Sequence, residues 1–383
     1  MEIVDYEVFE VSPRFQFLKL ETSDGRVGWG EPVVEGRAHT VRAAIEELAE
    51  GVLLGADPFP IERHWQRMYR GGFYRGGPVL MSAIAGIDQA LWDLKGKHFG
   101  APVYELLGGK ARDRVRLYSH VPAEDESPSA YAQGAASMVE NGFTALKTSL
   151  NGPIRRVDAP DAIERERNRL IAIRDAVGPD IDLGIDFHGK VSKPMAKRLV
   201  VALEDVDPMF YEEPVLAEHD DALATVARHT SVPIATGERM FSRWDFKGVL
   251  ESGTVDIVQP DLSHAGGITE VHKIAAMAEA YDVALAPHCP LGPVSLAACL
   301  QIDACSPNAL VQEQVVHRAV DAHVLSYVEN PEVLEYDFGG YVDLPDGPGL
   351  GVEIDEEALR AADGEYEWSV PSHRHDDGSV AEW

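Results

Sequence analysis

Six acidic and histidine residues recur at nearly equal intervals between residues 186 and 313. The successive gaps are 26, 26, 23, 27 and 25 residues, and about 25 residues is a natural length for one strand, one helix and their short loops. In a βα barrel, polar residues at the ends of consecutive parallel strands converge on one mouth. The spacing therefore predicts a barrel whose mouth carries Asp186, Glu212, Glu238, Asp261, His288 and Glu313.

The local sequence supports this interpretation. The run IDLGIDFH at 181–188 is rich in apolar residues, too short for a helix, and contains Asp186 and His188 at its end. Residues two apart on a strand point the same way, so we expect both side chains to face the mouth. Glu212 in FYEEP and Glu238 in IATGE also close short apolar strands beside Gly or Pro. The pattern adds His188 to the candidate site.

Three carboxylates on adjacent strands predict a cation between them. Like charges that converge on one point cannot all stay ionised unless a positive charge joins them. Oxygen ligands with open positions suit Mg²⁺, whereas Zn²⁺ favours His and Cys. We therefore predict one Mg²⁺ per active site, held by Asp186, Glu212 and Glu238. The alternative is three solvated loop acids that hold no ion.

Asp261 and His288, at the ends of neighbouring strands, form a candidate general base. A carboxylate behind an imidazole fixes its tautomer and raises its basicity. By this interpretation, His188 and His288 are the only two of the 14 histidines at strand ends. Glu313 on the last strand is expected to donate or accept a hydrogen bond at a substrate oxygen.

This set of residues predicts the dehydration of a 2-hydroxy acid. A hydrogen α to a carboxylate is too weakly acidic for histidine alone, but a divalent cation on the carboxylate and the 2-hydroxyl stabilises the enediolate. His288 would take the C2 proton, and His188 would protonate the departing 3-hydroxyl. Imidazole suits both transfers at neutral pH. The enol would tautomerise to a 2-keto-3-deoxy acid.

The surrounding elements predict an α/β fold with two main parts. Residues 113–336 alternate strands and helices and are expected to form a modified TIM barrel, (β/α)7β. Residues 1–112 begin with a strand meander and continue with helices, which indicates an N-terminal α+β domain. Residues 337–383 are turn-rich and are expected to return to that domain, with the last residue, Trp383, docking there.

Three further side chains are candidate substrate contacts. The Gly-rich loop GGFYRGGP at 71–78 lacks the ending of a phosphate loop, but its Tyr74 and Arg75 could reach over the mouth. Lys147 lies at the end of the second barrel strand. Asp88, in the long helix after the Gly-rich loop, is interpreted as a surface or capping residue and not as a catalyst.

Composition excludes several classes of protein. The net charge is −30 and no basic stripe is present, which disfavours nucleic-acid binding, and no apolar run is long enough for a membrane span. The start MEIVDYEVFE lacks the features of a signal peptide, and three cysteines without metal or disulfide spacing indicate a reducing cytoplasm. The charge would be screened by molar salt, so we expect a halophile's cytoplasm; an ordinary acidic protein is the alternative.

Several motifs together resemble the enolase superfamily, mandelate racemase subgroup. They are ALWDLKGKHFGAPVYELLGG, GIDFHG, EEPV, GERMFSRWDF, QPDLSHAGGITE, APHCPLGP and SVAEW, and they span nearly the whole chain. The resemblance implies a capping domain over the barrel and a homo-oligomer. It implies that Mg²⁺ is bound by Asp186, Glu212 and Glu238. It also implies His188 as acid, His288 as base, Asp261 as the partner of the base and Glu313 as transition-state stabiliser.

The resemblance implies a sugar-acid dehydratase that converts D-galactonate to 2-keto-3-deoxy-D-galactonate. The second strand reads Lys147-Thr148-Ser149, where such dehydratases carry Lys-x-Asn, so D-gluconate or a pentonate stays an alternative substrate. A racemase or epimerase would use the same metal and bases without expelling a hydroxyl. A non-catalytic barrel that serves as a binding or scaffold protein is the third alternative.

Overall fold

The computed structural model describes residues 1–318, 321–364, 366 and 368–382. An antiparallel sheet opens the chain, in which the second strand pairs with both neighbours. Its strands are β1 (Ile3–Val11), β2 (Phe15–Thr22) and β3 (Val27–Gly30). Aromatic and β-branched residues, which favour strands, place Phe9, Phe15 and Phe17 in the core. The predicted meander is confirmed.

Four helices complete the N-terminal domain. They are α1 (Ala38–Leu48), which a π-helical turn at Ala49–Leu53 continues, α2 (Ile61–Arg70), α3 (Pro78–Phe99) and α4 (Val103–Leu106). Helix α3 begins with Pro78, which suits a first helical position, and ends at Gly100 in the left-handed region (φ 65°). It is buried on nearly every side because it lies between the N-terminal sheet and the barrel.

Eight parallel strands form the barrel in the order β10-β9-β8-β7-β6-β5-β4-β11. Their bounds are β4 (Arg114–His120), β5 (Ala145–Ser149), β6 (Asp182–Asp186), β7 (Phe210–Glu212), β8 (Ile234–Thr236), β9 (Ile257–Val258), β10 (Ala284–Leu285) and β11 (Gln312–Glu313). The two ends of the sheet meet at Leu285, whose N–H donates to Asn308 O at 2.9 Å while its carbonyl accepts from Leu310 N at 2.8 Å.

In the described part of the chain, seven helical connections alternate with these eight strands, which confirms the (β/α)7β prediction. The helices are α5 (Pro128–Glu140), α6 (Pro160–Val177), α7 (Lys193–Ala202), α8 (Leu223–Ala227), α9 (Arg243–Ser252), α10 (Gly267–Ala280) and α11 (Pro293–Cys305), with 3₁₀ turns at Glu204–Val206, Ala217–Ala222, Ala322–Tyr327 and Pro331–Leu334. No helix among the described residues combines the length and hydropathy of a membrane span.

A layer of apolar side chains fills the barrel interior and fixes where the site begins. The layer consists of Tyr118, Ala145, Phe210, Ala235, Ile257, Ala286 and Val311. Alternate residues of a strand face the same way, so the residues two positions further along form the next inward layer. Four members of that next layer lie within the strands themselves, namely His120, Lys147, Glu212 and Glu313.

The C-terminal segment contacts both parts of the molecule. Strand β12 (Tyr341–Asp343) first pairs with β4 in antiparallel orientation, a barrel contact that the sequence did not predict. Helix α12 (Glu356–Ala362) then packs beside the N-terminal sheet, where Arg360 forms an ion pair with Glu7 at 2.6 Å and Glu356 forms one with Lys19 at 2.8 Å. Trp383, with its predicted docking, lies outside the described residues.

Candidate active site

A cavity of about 680 Å³ opens at the carboxyl ends of the barrel strands. Its floor and walls come from the barrel, and its roof includes Arg14 and Glu35 from the N-terminal domain and Trp368 from the C-terminal segment. A cavity of this size suits a small molecule.

Three carboxylates converge on one side of the cavity. Asp186 ends β6, Glu212 ends β7, and Glu238 follows β8 by two residues. Strand pairing places Asp186 directly opposite Glu212. One oxygen from each of the three side chains lies within 4.8 Å of the others, so the structure brings the predicted ligand set together.

The chemistry of these three acids fits a divalent cation. Burial and the neighbouring Asp186 raise the pKa of Glu212 well above the ordinary value. Glu238 Oε2 is buried and makes no hydrogen bond within the described residues, although His288 Nε2 lies 3.3 Å away. Converging carboxylate oxygens with unsatisfied capacity are what a hard cation binds, so the triad can hold a metal ion.

Lys147 on β5 places a buried ammonium beside the triad. Its Nζ lies 2.8 Å from Glu212 Oε1, 3.0 Å from Glu313 Oε1 and 3.5 Å from Asp186 Oδ2. Burial lowers the pKa of Lys147, but Glu212 and Glu313 outweigh it and hold the pKa well above its usual range. Lys147 therefore stays charged, and it lines the cavity.

Asp261 and His288 form a hydrogen-bonded pair next to the triad. His288 Nδ1 lies 2.8 Å from Asp261 Oδ2, while Asp261 Oδ1 accepts a hydrogen bond from Ser263 N at 2.7 Å. Burial lowers the pKa of His288, but Glu313, Glu238 and Asp261 together raise it well above the ordinary value. The Nε2 atom is turned towards Glu238, so the imidazole can exchange a proton on that side.

His188 reaches the cavity by a route that differs from the sequence argument. Strand β6 ends at Asp186, so strand alternation does not orient His188. The residue lies in a turn with left-handed backbone (φ 56°), and its N–H donates to Asp186 Oδ1 at 2.6 Å. Positive φ at a non-glycine residue costs free energy and is found at functional sites. The side chain lines the cavity, although the reason given for that orientation was wrong.

His120 is a cavity residue that the sequence reasoning missed. It ends β4, and its Nε2 lies 2.7 Å from Glu313 Oε1. Glu313 Oε2 accepts a hydrogen bond from Cys289 N at 2.9 Å, so both Glu313 oxygens contact protein groups. The interpretation that only His188 and His288 lie at strand ends was wrong. The sequence VRLYSHV carried the signal, because its histidine also closes an apolar strand.

The roof of the cavity contains ion pairs that spacing could not reveal. Arg14, in the turn between β1 and β2, lies 2.9 Å from Glu35 and 3.6 Å from Asp321. These residues come from distant parts of the chain and carry no strand-end signature.

The Gly-rich loop does not reach the mouth. Tyr74 is 88% exposed, and neither it nor Arg75 lines the cavity. The structure therefore brings together the predicted metal and catalytic residues and Lys147, but not Tyr74 and Arg75.

Comparisons with known proteins match the chain along its length. Residues 130–358 match the family described as enolase C-terminal domain-like, and residues 11–108 match the mandelate racemase / muconate lactonizing enzyme N-terminal domain. D-galactonate dehydratases of Variovorax paradoxus and Ralstonia pickettii are 53% and 54% identical to the chain over 386 residues, with all of each chain covered. A mandelate racemase/muconate lactonizing enzyme-like protein from a Roseovarius species is 34% identical with a TM-score of 0.89, covering 98% of this chain and 99% of that one.

Proposed function

This chain belongs to the mandelate racemase / muconate lactonizing enzyme family of the enolase superfamily, and we propose that it dehydrates D-galactonate to 2-keto-3-deoxy-D-galactonate. One observation carries the proposal: the hydrogen-bonded pair Asp261–His288, the proposed general base, borders the carboxylate triad, with His288 Nε2 3.3 Å from Glu238 Oε2. A base beside a metal-binding triad suits removal of a proton α to a carboxylate. The full-length similarity to curated D-galactonate dehydratases supports the substrate.

Asp186, Glu212 and Glu238 would hold Mg²⁺. When bound, the ion supplies positive charge at the carboxylate and 2-hydroxyl oxygens of the substrate, which makes the C2 hydrogen more acidic. The charge balance of the mouth supports a cation of this kind. The three carboxylates of the triad and that of Glu313 outnumber the buried ammonium of Lys147 beside them, and an anionic substrate would add to this excess of negative charge.

The protein's own groups then divide the proton transfers. Asp261 binds His288 Nδ1 and thereby leaves Nε2 as the atom that removes the C2 proton. His188, which the turn after β6 brings to the same cavity, would deliver a proton to the departing 3-hydroxyl. Glu313, whose Oε1 lies 2.7 Å from His120 Nε2 and 3.0 Å from Lys147 Nζ, would stabilise the transition state.

D-gluconate or a pentonate is the second candidate substrate. Ser149 lines the cavity, and its Oγ lies 3.4 Å from Asp186 Oδ2. A serine at this position is shorter than the asparagine that the resemblance leads us to expect, so it leaves more room beside the substrate. Loss of one hydrogen bond to a substrate hydroxyl is enough to change the preference between C4 epimers.

An end-point assay for 2-keto acids with Mg²⁺ tests the proposal across galactonate, gluconate, xylonate and arabinonate. We expect turnover of galactonate, and no turnover after chelation of the metal. Turnover mainly of gluconate or a pentonate would change the proposed substrate but would still support the proposed dehydration. Equilibration of C2 stereochemistry without a 2-keto acid would indicate a racemase or epimerase instead.

We also propose that the enzyme works in the cytoplasm of a cell with high internal salt. The net charge of −30 produces self-repulsion, which added salt screens. We expect the melting temperature and the activity to rise between dilute buffer and molar KCl. Full stability and activity without salt would contradict this proposal.

A homo-oligomer is the assembly that we propose from the family resemblance. Light scattering at working protein concentration should give a mass that is a multiple of the 41.9 kDa chain. A single-chain mass under conditions of full activity would contradict it.

A further inference from the structure

A closed ring of buried hydrogen bonds joins the N-terminal domain to the barrel beneath the roof of the cavity. Glu31 N donates to Gln89 Oε1 at 2.8 Å, and Gln89 Nε2 donates to Ser263 Oγ at 3.0 Å. Ser263 Oγ and Ser295 Oγ lie 2.9 Å apart, and Ser295 N donates to Glu31 Oε2 at 2.9 Å. All four residues are buried. Glu31 follows β3 and Gln89 lies on α3, so these two residues belong to the N-terminal domain. Ser263 and Ser295 belong to the barrel.

The ring is attached to both loops that carry the proposed base. Ser263 N donates to Asp261 Oδ1 at 2.7 Å, and Asp261 Oδ2 binds His288 Nδ1. On the other loop, Glu31 Oε1 accepts from Gly292 N at 2.5 Å, four residues after His288. The carboxylate of Glu31, from the N-terminal domain, therefore contacts the loop that follows His288. Ser263, another member of the ring, contacts Asp261.

The approach of Glu31 to this loop is close enough to require glycine. A Cβ at residue 292 would lie 2.6 Å from Glu31 Oε1, so a side chain there would push the carboxylate away. Burial raises the pKa of Glu31 to about 7, against the two N–H groups that it accepts from. A buried carboxylate is poor at adding stability when an apolar group could replace it, which favours a role in positioning.

We infer that Glu31 and Gln89 are positioning residues for the general base, and that the N-terminal domain thereby fixes the orientation of the Asp261–His288 pair. The inference rests on the proposed function, in which His288 removes the C2 proton. It adds a task for the N-terminal domain besides covering the cavity. The barrel strands do not reach the pair, because β9 and β10 end three residues before Asp261 and His288.

Asp88 supplies a matched control within the same interface. Its Oδ1 accepts from Thr269 Oγ1 at 2.6 Å and its Oδ2 from Thr269 N at 2.9 Å, at the start of α10. Like Glu31, Asp88 is a buried acid of the N-terminal domain that binds the N-terminus of a barrel helix, and burial raises its pKa to about 7. Unlike Glu31, it has no hydrogen bond to the ring or to the pair.

The test compares Glu31→Gln and Gln89→Leu with Asp88→Asn in the full-length, Mg²⁺-loaded protein. We expect kcat on galactonate, and the rate of C2 proton exchange with D₂O, to fall together by about 10- to 100-fold in the two ring variants. KM should change by less than about 3-fold, since the ring residues do not contribute to the binding of the ground-state substrate. Combining Glu31→Gln with Gln89→Leu should add little to either alone, because one break opens the ring.

Asp88→Asn should lower the melting temperature without reducing kcat by more than about 2-fold. Ser263→Ala is a milder ring variant in case a buried substitution prevents folding, and it keeps the backbone bond to Asp261. If the ring variants lose thermal stability as Asp88→Asn does but retain kcat, the contacts are only structural and the inference is overturned.

A second readout separates this inference from the proposed function. The Nδ1–H proton of His288 should give a low-field NMR resonance that is lost in His288→Asn. We expect this resonance to shift or broaden in the ring variants and to stay unchanged in Asp88→Asn. Wild-type protein that turns over no sugar acid would overturn the proposed function, and the resonance would still decide whether the ring positions His288.

Discussion

The two sides of the barrel mouth are built in different ways. On the carboxylate side, Asp186 and Glu212 are the last residues of β6 and β7 and are paired across these neighbouring strands, and Glu238 follows β8 by two residues. The base side, Asp261 and His288, lies in loops, three residues after the two-residue strands β9 and β10 end. One side takes its geometry from strand pairing, whereas the other needs contacts from the N-terminal domain.

This difference shows which part of a site the barrel can fix alone. Paired strands determine the direction of every side chain on them. A loop after a two-residue strand has no such constraint, so hydrogen bonds from elsewhere must hold it. Here Gln89 donates to Ser263 in the loop after β9, and Glu31 accepts from Gly292 in the loop after β10. The carboxylate side should therefore depend on local charge, and the base side on the interface between the two parts.

The largest expected effect comes from breaking the carboxylate side. Glu212→Gln keeps the shape of the side chain but removes one of the three converging charges. We expect Mg²⁺ affinity to fall by more than about 100-fold, since even groups behind metal ligands cost about 10- to 100-fold, and activity to be lost at physiological Mg²⁺. Calorimetric titration with Mg²⁺ measures the change. Glu164→Gln, at an exposed position, is the control, and unchanged affinity in Glu212→Gln would contradict the assignment.

The next effect concerns the charge that stabilises this side in the absence of metal. Lys147→Met leaves Glu212 and Glu313 without their buried cationic partner. Breaking a buried ion pair costs about 3–5 kcal/mol, so the metal-free variant should melt well below the wild type. Added Mg²⁺ should recover part of the difference, while the exposed Lys193→Met should melt normally. Equal melting temperatures without metal would show that Lys147 does not stabilise the carboxylate side.

Asp303 on α11 sharpens the comparison because it is a buried acid that belongs neither to the carboxylate side nor to the base side of the mouth. Its oxygens make no hydrogen bond within the described residues, and burial raises the pKa to about 8 despite Arg112. The raised pKa means that the folded protein favours the protonated form of Asp303. The contribution of this protonated side chain to stability is therefore complete below about pH 4, the ordinary pKa of an aspartate, and is lost as the pH rises to about 8. Asp303→Asn should match wild type near pH 4 and melt at an increasingly higher temperature towards pH 8. Parallel melting profiles across this range would contradict the prediction.

The smallest effect is expected outside the cavity. Arg75→Ala and Tyr74→Ala change residues that do not line it, so kcat/KM should stay within about 2-fold of wild type, as for most surface substitutions. Arg14→Ala, a matched arginine substitution in the roof, should raise KM by about 10-fold. A large KM effect at Tyr74 or Arg75 would restore the substrate contact that the sequence suggested.

The sequence predicted the parts of the molecule that local patterns encode. Strand-and-helix alternation predicted the barrel, and the strand-end acids predicted the carboxylate side, because an apolar run followed by an acid is a local signal. The orientation of His188 was argued wrongly, since a left-handed turn and not strand alternation brings it to the cavity. His120 was missed although the same local signal was present.

Other features could not be read from the chain because they depend on distant contacts. Asp88 was predicted to be a surface or capping residue, and it is a buried cap of α10, which only the docking of α3 on the barrel explains. Glu31 lies in an ordinary strand-end sequence, and its partners Gly292 and Ser295 are more than 260 residues away. No periodicity or motif spacing connects such positions.

The most direct test of the account is the exchange of the C2 proton of galactonate with D₂O, followed by proton NMR with 2-keto acid measured in the same samples. Wild type should dehydrate the substrate. His188→Asn should still exchange the C2 proton but form no 2-keto acid, and His288→Asn should do neither. Exchange at the wild-type rate in His288→Asn, or its loss only in His188→Asn, would contradict the assignment of the base to His288.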